Sequence, residues 1–211
     1  MKNIFYIVLL AALVSCGGQK RPDRPVPANF FSGEFVYFAD AAVFYDCATG
    51  EKYPVAMRSD YIKAERGYME MKPEMGERVY MSFHGHVEYL PGMEDGTRER
   101  TMVIDSFTGF NRGEKCAPQY SLSGVYQSEG GGIKSSLRLR IDYTFTEITY
   151  DNDGVESTRE GTWGMASKLE LVLDYDGGEE WQAVFEYIPD RESLKLDDKK
   201  SPLTYRKVYL R

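Results

Sequence analysis

Between residues 120 and 211 short runs of alternating apolar residues recur about every 8 to 12 positions, with turn formers between them. Leu137, Leu139 and Ile141 alternate, and Phe145 to Tyr150 runs into Asp151-Asn152-Asp153-Gly154, a hairpin signal. Thr162-Trp163 follows, and Leu169 to Leu173 reaches Asp174-Tyr175-Asp176-Gly177-Gly178, a second turn. Trp181 to Ile188, Ser193 to Leu196 and Arg206 to Leu210 complete a set of about eight strands. No stretch here has a helical period. Each strand has one apolar face to bury, and eight strands are enough to close a small barrel on itself. Arg206 and Lys207 read as charges protecting a strand edge.

Residues 30–118 have a different rhythm. Gly33 to Phe38, Ala41 to Tyr45 and Lys52 to Ala56 read as strands. Ser59 is placed to cap a helix whose face is Tyr61, Ile62, Glu65, Tyr68 and Met69, weakened by Gly67 and stopped before Pro73. Arg78 to Tyr89 alternates as a long strand, with Val79, Met81, Phe83, Gly85, Val87 and Tyr89 on one face. A loop at Pro91 to Gly96 leads to a strand over Thr101 to Phe107. Five strands and one small helix suggest a small barrel of the oligonucleotide/oligosaccharide-binding (OB) type. The fold class expected is therefore all-β: an OB-like barrel with one short helix, then an antiparallel barrel.

The first residues are set apart. Lys2 precedes an apolar run, Ile4 to Val14, of 11 residues. A bilayer span needs about 20, so the run reads as a secretory signal over residues 1–15. It ends in Leu13-Val14-Ser15-Cys16, the pattern at which a lipoprotein is cleaved and its cysteine acylated. Residues 16–29 follow as a lipidated cysteine and a tether with prolines at 22, 25 and 27, extended at about 3 Å per residue. Gly17 stands where an aspartate retains many lipoproteins in the inner membrane, so the expected location is the outer membrane, facing the periplasm.

The net charge is −7, and loss of the leader removes the positive Lys2, so the secreted part is more acidic still. That argues against nucleic-acid partners. With Cys16 acylated, Cys47 and Cys116 remain as an even pair in an oxidising compartment and read as a disulfide, the alternative being two buried thiols.

Other groups give weaker signals. His84, His86 and Glu88 share one strand face, the two histidine Cα atoms about 7 Å apart. His, His and Glu suit zinc or Cu(II), but they lie opposite the apolar face, and a solvated strand face is the preferred explanation. Asp151, Asp153, Asp174 and Asp176 lack calcium-loop spacing and read as hairpin turns. Glu179 and Glu180 are adjacent and point apart on a strand. No nucleophile has a base nearby in sequence, so no enzyme is expected. The 16 Tyr and 11 Phe fall mostly at alternating strand positions, where they read as core.

Several runs resemble the NlpE family of envelope lipoproteins, also called copper-resistance lipoproteins. The run 35-FVYFADAAVFYDCATGEKYPVA-56 resembles the start of that family's OB domain, as do Pro91 to Glu94, 102-MVIDSFTGF-110 and 113-GEKC-116. Gly124-Val125-Tyr126, 132-GIKSSLRL-139 and Gly161-Thr162-Trp163 resemble its lipocalin-like barrel. The resemblance implies an OB-like domain over 30–118 and a lipocalin-like domain over 120–211, the reverse of the order in better known members. The family's Cys-x-x-Cys is missing: Ser128-Glu129-Gly130-Gly131 stands in its place. A thiol pair can hold Cu(I) or exchange as a disulfide, and this loop can do neither. Gly130 to Gly132 read instead as a tight connection needing positive φ. No cofactor is expected, copper being implied by resemblance alone. The implied role is envelope-stress or surface sensing and copper tolerance, with a stress-signalling protein as partner. The alternative is a periplasmic carrier holding an apolar small molecule in the barrel.

Overall fold

A computed structural model gives the fold, describing residues 29–92, 96–117, 121–130, 133–177, 182–196 and 203–209. Residues 1–28, which take in the expected leader, Cys16 and the expected tether up to its last residue, lie outside the described residues.

The first unit runs β1 (Phe30–Phe38), β2 (Ala41–Asp46), β3 (Lys52–Pro54), α1 (Tyr61–Glu70), β4 (Val79–Pro91) and β5 (Arg98–Asn111). The sheet order is β3-β2-β1-β4-β5. A parallel bridge from Val55 to Met102, with Ala56 N donating to Met102 O at 2.9 Å, brings β3 round to β5. Five strands closed this way, with the helix between the third and fourth, form the OB barrel expected from the sequence. Alternation in β1 and β2 sends Phe31, Phe35 and Phe44 inward. Phe83 packs between Phe31 and Phe44, with ring centroids at 5.6 and 4.9 Å. Aromatic pairs of this kind contribute about 0.5–1.5 kcal/mol beyond the area they bury.

The helix differs from its sequence reading. Tyr61, Ala64 and Tyr68 are its buried face, while Ile62 and Met69 face solvent. Tyrosine rings reach Phe35 and Phe110 across the barrel end, as Tyr68 does at 5.5 and 6.1 Å, and that reach outweighs the apolar ranking of Ile and Met. The N-cap position is Asp60, not Ser59, which has φ 53°. Asp60 accepts from Phe107 N at 3.1 Å and so ties the helix start to β5. The inward face of β4 holds through Gly85, and then Tyr89 is exposed because β4 and β5 leave the barrel as a two-stranded ribbon.

The second unit is a closed barrel of β6 (Gly124–Gly130), β7 (Ile133–Leu139), β8 (Thr144–Tyr150), β9 (Glu156–Ser167), β10 (Glu170–Tyr175), β11 (Gln182–Ile188), β12 (Ser193–Leu196) and β13 (Thr204–Val208). Every strand pairs antiparallel with the next, and β13 returns to β6 through Arg206 opposite Gln127. That is up-and-down order. Gly161 is required where β9 crosses β10, since a Cβ there would stand 1.9 Å from Asp174 O. Closure leaves β13 no open edge, so Lys207 does not guard one: its ammonium donates to Ser121 O at 2.6 Å. Ile141, read as strand, lies in the turn after β7 and is exposed. Gly130 pairs with Ile133, and Gly131 and Gly132 of the glycine run lie outside the described residues. At the β8–β9 turn Asp151 accepts from Asp153 N and Val155 N at 3.0 and 2.8 Å, as a hairpin turn requires.

Trp163, Tyr126, Phe145, Tyr205, Leu137, Leu171, Leu173 and Leu194 are all buried in the second barrel's core. Two small cavities among the described residues hold only about 10 and 20 Å³, and both lie where the units meet.

Candidate functional site

The two barrels meet at the turn that follows β2. Asp46 to Gly50 reverse the chain, with Gly50 N donating to Asp46 O at 2.8 Å and Gly50 at φ +78°, a left-handed conformation that favours glycine. The Asp46 carboxylate points back into its own turn. It accepts from Ala48 N and Thr49 N, both at 3.1 Å, and from the Thr49 hydroxyl. Its fourth donor is the Tyr143 hydroxyl, at 2.6 Å, which comes from the other barrel.

Tyr143 is placed by the turn between β7 and β8. Its φ is 63°, rare for a bulky side chain, and the surrounding contacts hold it there. Tyr143 N donates to Arg140 O at 3.1 Å, Trp163 N donates to Tyr143 O at 2.8 Å, and the Trp163 indole donates to Arg140 O at 2.9 Å. The ring meets Phe31 edge-on at 5.9 Å. Leu122 N, at the entry to the second barrel, donates to Ala48 O at 2.7 Å. Lys168 pairs with Glu114 at 3.0 Å on the rim.

Cys47 sits in the middle of this turn and is bonded to Cys116, 69 residues on, with the Cα atoms 5.1 Å apart. The sequence reading of these two cysteines is matched by the structure. Glu34 receives Cys116 N at 3.2 Å and faces Arg78, which lies 3.6 Å from the centre of the Tyr45 ring. The disulfide therefore fixes both the docking turn and the chain leading to the second barrel.

Burial of Asp46 raises its carboxyl pKa above the ordinary 3.8, against the opposing pull of the Thr49 and Tyr143 hydrogen bonds. Burial, with the nearby Asp46, pushes the Tyr143 hydroxyl well above its ordinary range. A carboxyl that binds its proton more tightly when folded contributes most at low pH and loses that contribution as pH rises through its folded value. The stability of wild type relative to Asp46→Asn is therefore expected to fall as pH rises above the ordinary carboxyl value of 3.8. Denaturant melts of both proteins from that value upward check it, and a constant difference would contradict it. Tyr143→Phe keeps the ring and removes one donor from a buried carboxylate, so a loss of about 1–3 kcal/mol is expected. An unchanged denaturation midpoint would show that this bond contributes nothing.

His84, His86 and Glu88 do share a strand, but each has its own neighbour. His84 Nδ1 meets Asn29 at 3.0 Å, His86 Nδ1 meets Asp105 at 2.7 Å, and Glu88 pairs with Arg58. His86 Nε2 stands 3.6 Å from Glu88. Among the described residues no group of three or more His, Cys, Asp or Glu is gathered to hold a metal ion. The reading from sequence found Cys47 and Cys116 but not Asp46 or Tyr143. The available signal was a tyrosine at a tight turn, Asp142-Tyr143-Thr144, where glycine or asparagine is the usual choice.

An OB barrel is thus joined to an up-and-down barrel through a disulfide-anchored turn. Residues 25–117 match the model of the NlpE C-terminal OB domain. Lipoprotein NlpE of Escherichia coli (strain K12) is 28% identical over 93 residues, which is 44% of this chain and 38% of that protein. The match thus spans well under half of the curated relative. The crystal structure titled as the Cpx pathway activator NlpE from Escherichia coli is 25% identical, covering 56% of this chain and 55% of that chain at a TM-score of 0.37.

Proposed function

We propose that this chain is a non-enzymatic lipoprotein of the NlpE type that reports the state of the cell envelope. Cys16 carries the lipid, the tether holds the body at the outer membrane facing the periplasm, and residues 120–211 supply a lipocalin-like domain. The related Escherichia coli protein is titled a Cpx pathway activator, and a stress-signalling partner of that kind is the reading taken here. The observation that carries it is the Cys47–Cys116 bond inside the turn on which the second barrel docks. When the bond forms, the turn and the linker are fixed and the junction is closed. When oxidative folding fails, the junction loosens and exposes surface for a partner to read. An envelope-stress reporter should rise in cells carrying Cys47→Ser. A reporter unchanged by that variant and by loss of the gene would end the signalling reading.

Copper tolerance belongs to the same proposal, acting through signalling and not through a bound ion, since serine and glycine stand where the family resemblance implies a thiol pair. A Cu(I) competition titration on residues 17–211 with the disulfide intact checks this. No competition with a modest chelator is expected, and tight binding of one ion would contradict it. The carrier reading has no comparable support, because aromatic and leucine side chains fill the second barrel's core.

A further inference from the structure

One end of the second barrel docks on the first, and Tyr143 marks it. Glu147 lies four residues further along β8, about 13 Å towards the other end. Its side chain is 5% exposed. The Tyr205 hydroxyl donates to Oε1 at 2.5 Å and the Tyr175 hydroxyl to Oε2 at 3.0 Å. These tyrosines stand on β13 and β10, neither of which is a neighbour of β8, so the hydrogen bonds cross the barrel interior. Phe145 meets Tyr175 edge-on at 5.0 Å, and Phe185 meets Tyr205 at 5.9 Å. Ser128 and Ser135, paired across β6 and β7, are buried, and Tyr205 is bonded to Ser135 as well as to Glu147.

Arg159 closes this group. It pairs with Glu147 across β8 and β9, its Nη2 is 2.9 Å from Oε2, and its guanidinium carbon is 4.9 Å from the centre of the Tyr175 ring. Yet its side chain is 41% exposed, so the cation stands between the buried carboxylate and solvent. A shielded carboxylate beside an aromatic face is the chemistry that recognises organic cations. The excess of acidic residues draws such ions towards the chain.

We propose that this end of the second barrel is a recognition site for a small organic cation, guanidinium or alkylammonium, which Arg159 occupies and shields in the present state. Glu147 supplies the counter-charge, Tyr175 the ring face, and Tyr205 orients the carboxylate. An incoming cation takes the guanidinium's place, and the β8–β9 hairpin carries Arg159 outward. The proposal does not depend on the signalling reading.

Two measurements on the secreted chain test it. In Arg159→Ala, ethylguanidinium at millimolar concentration should raise the melting temperature, and the Glu147→Gln/Arg159→Ala double variant should not respond. Equal responses in the two, or none in either, would overturn the proposal. In the unsubstituted protein, which needs no altered fold, spermidine should shift the Arg159 side-chain NMR signal and the Tyr175 ring signals in a saturable way. Binding at least about ten-fold tighter in Arg159→Ala, or about 1.4 kcal/mol, is expected once the internal competitor is gone. An Arg159 signal unmoved by spermidine would make the pair a closed structural one and overturn the proposal.

Discussion

Cys47→Ser is expected to lower the unfolding free energy by about 4 kcal/mol, the chain-entropy value for a loop of this length. The bond spans 69 residues and encloses β3, α1, β4 and β5. Its loss also frees the turn that holds Asp46, so the effect should concentrate at the junction. Cys116→Ser and the double variant should cost the same as Cys47→Ser, because each removes one and the same bond. Urea denaturation of the three variants checks this. A loss below about 1 kcal/mol would mean that the turn is held by its hydrogen bonds alone.

Trp163→Ala should cost about 3–5 kcal/mol, the range for removing a large buried aromatic side chain. Trp163 is fully buried, its indole donates to Arg140 O at 2.9 Å, and its ring lies 4.9 Å from Tyr143. Its removal opens the docked end of the second barrel and leaves Arg140 O with Tyr143 N as its remaining donor. Its effect should differ in kind from that of Cys47→Ser. The cysteine variant loosens the junction between two folded barrels. The tryptophan variant loosens the second barrel itself, visible as lost amide protection in β9 and β10. Protection confined to wild-type levels there would contradict the role given to Trp163.

The barrels were legible in the sequence because strand alternation is a local pattern: Leu137 and Leu139 point inward whatever the rest of the chain does. The disulfide was legible because redox compartment and an even cysteine count constrain it without geometry. The helix face was misread because Ile62 and Met69 rank as apolar, whereas burial was decided by which side chains reach Phe35 and Phe110. Tyr143 with Asp46, and Glu147 with Arg159, Tyr175 and Tyr205, were invisible for a related reason. Asp46 and Tyr143 are 97 positions apart, and Glu147 and Tyr205 are 58 apart. Only closure of both barrels brings them together, and no local period records that. The histidines show the converse. His84 and His86 look paired along the strand, yet Asn29 and Asp105 take their ring nitrogens separately.

Hydrogen exchange of the oxidised and reduced protein tests most directly whether the disulfide holds the junction closed. The amides to follow are Leu122, which donates to Ala48 O, and Trp163, which donates to Tyr143 O. On reduction, exchange at Leu122 and through the Asp46 to Gly50 turn should rise by an order of magnitude or more, while β10 and β11 keep their protection. Unchanged exchange at Leu122 after complete reduction would contradict it, leaving the bond a staple of the first barrel with no hold on the second.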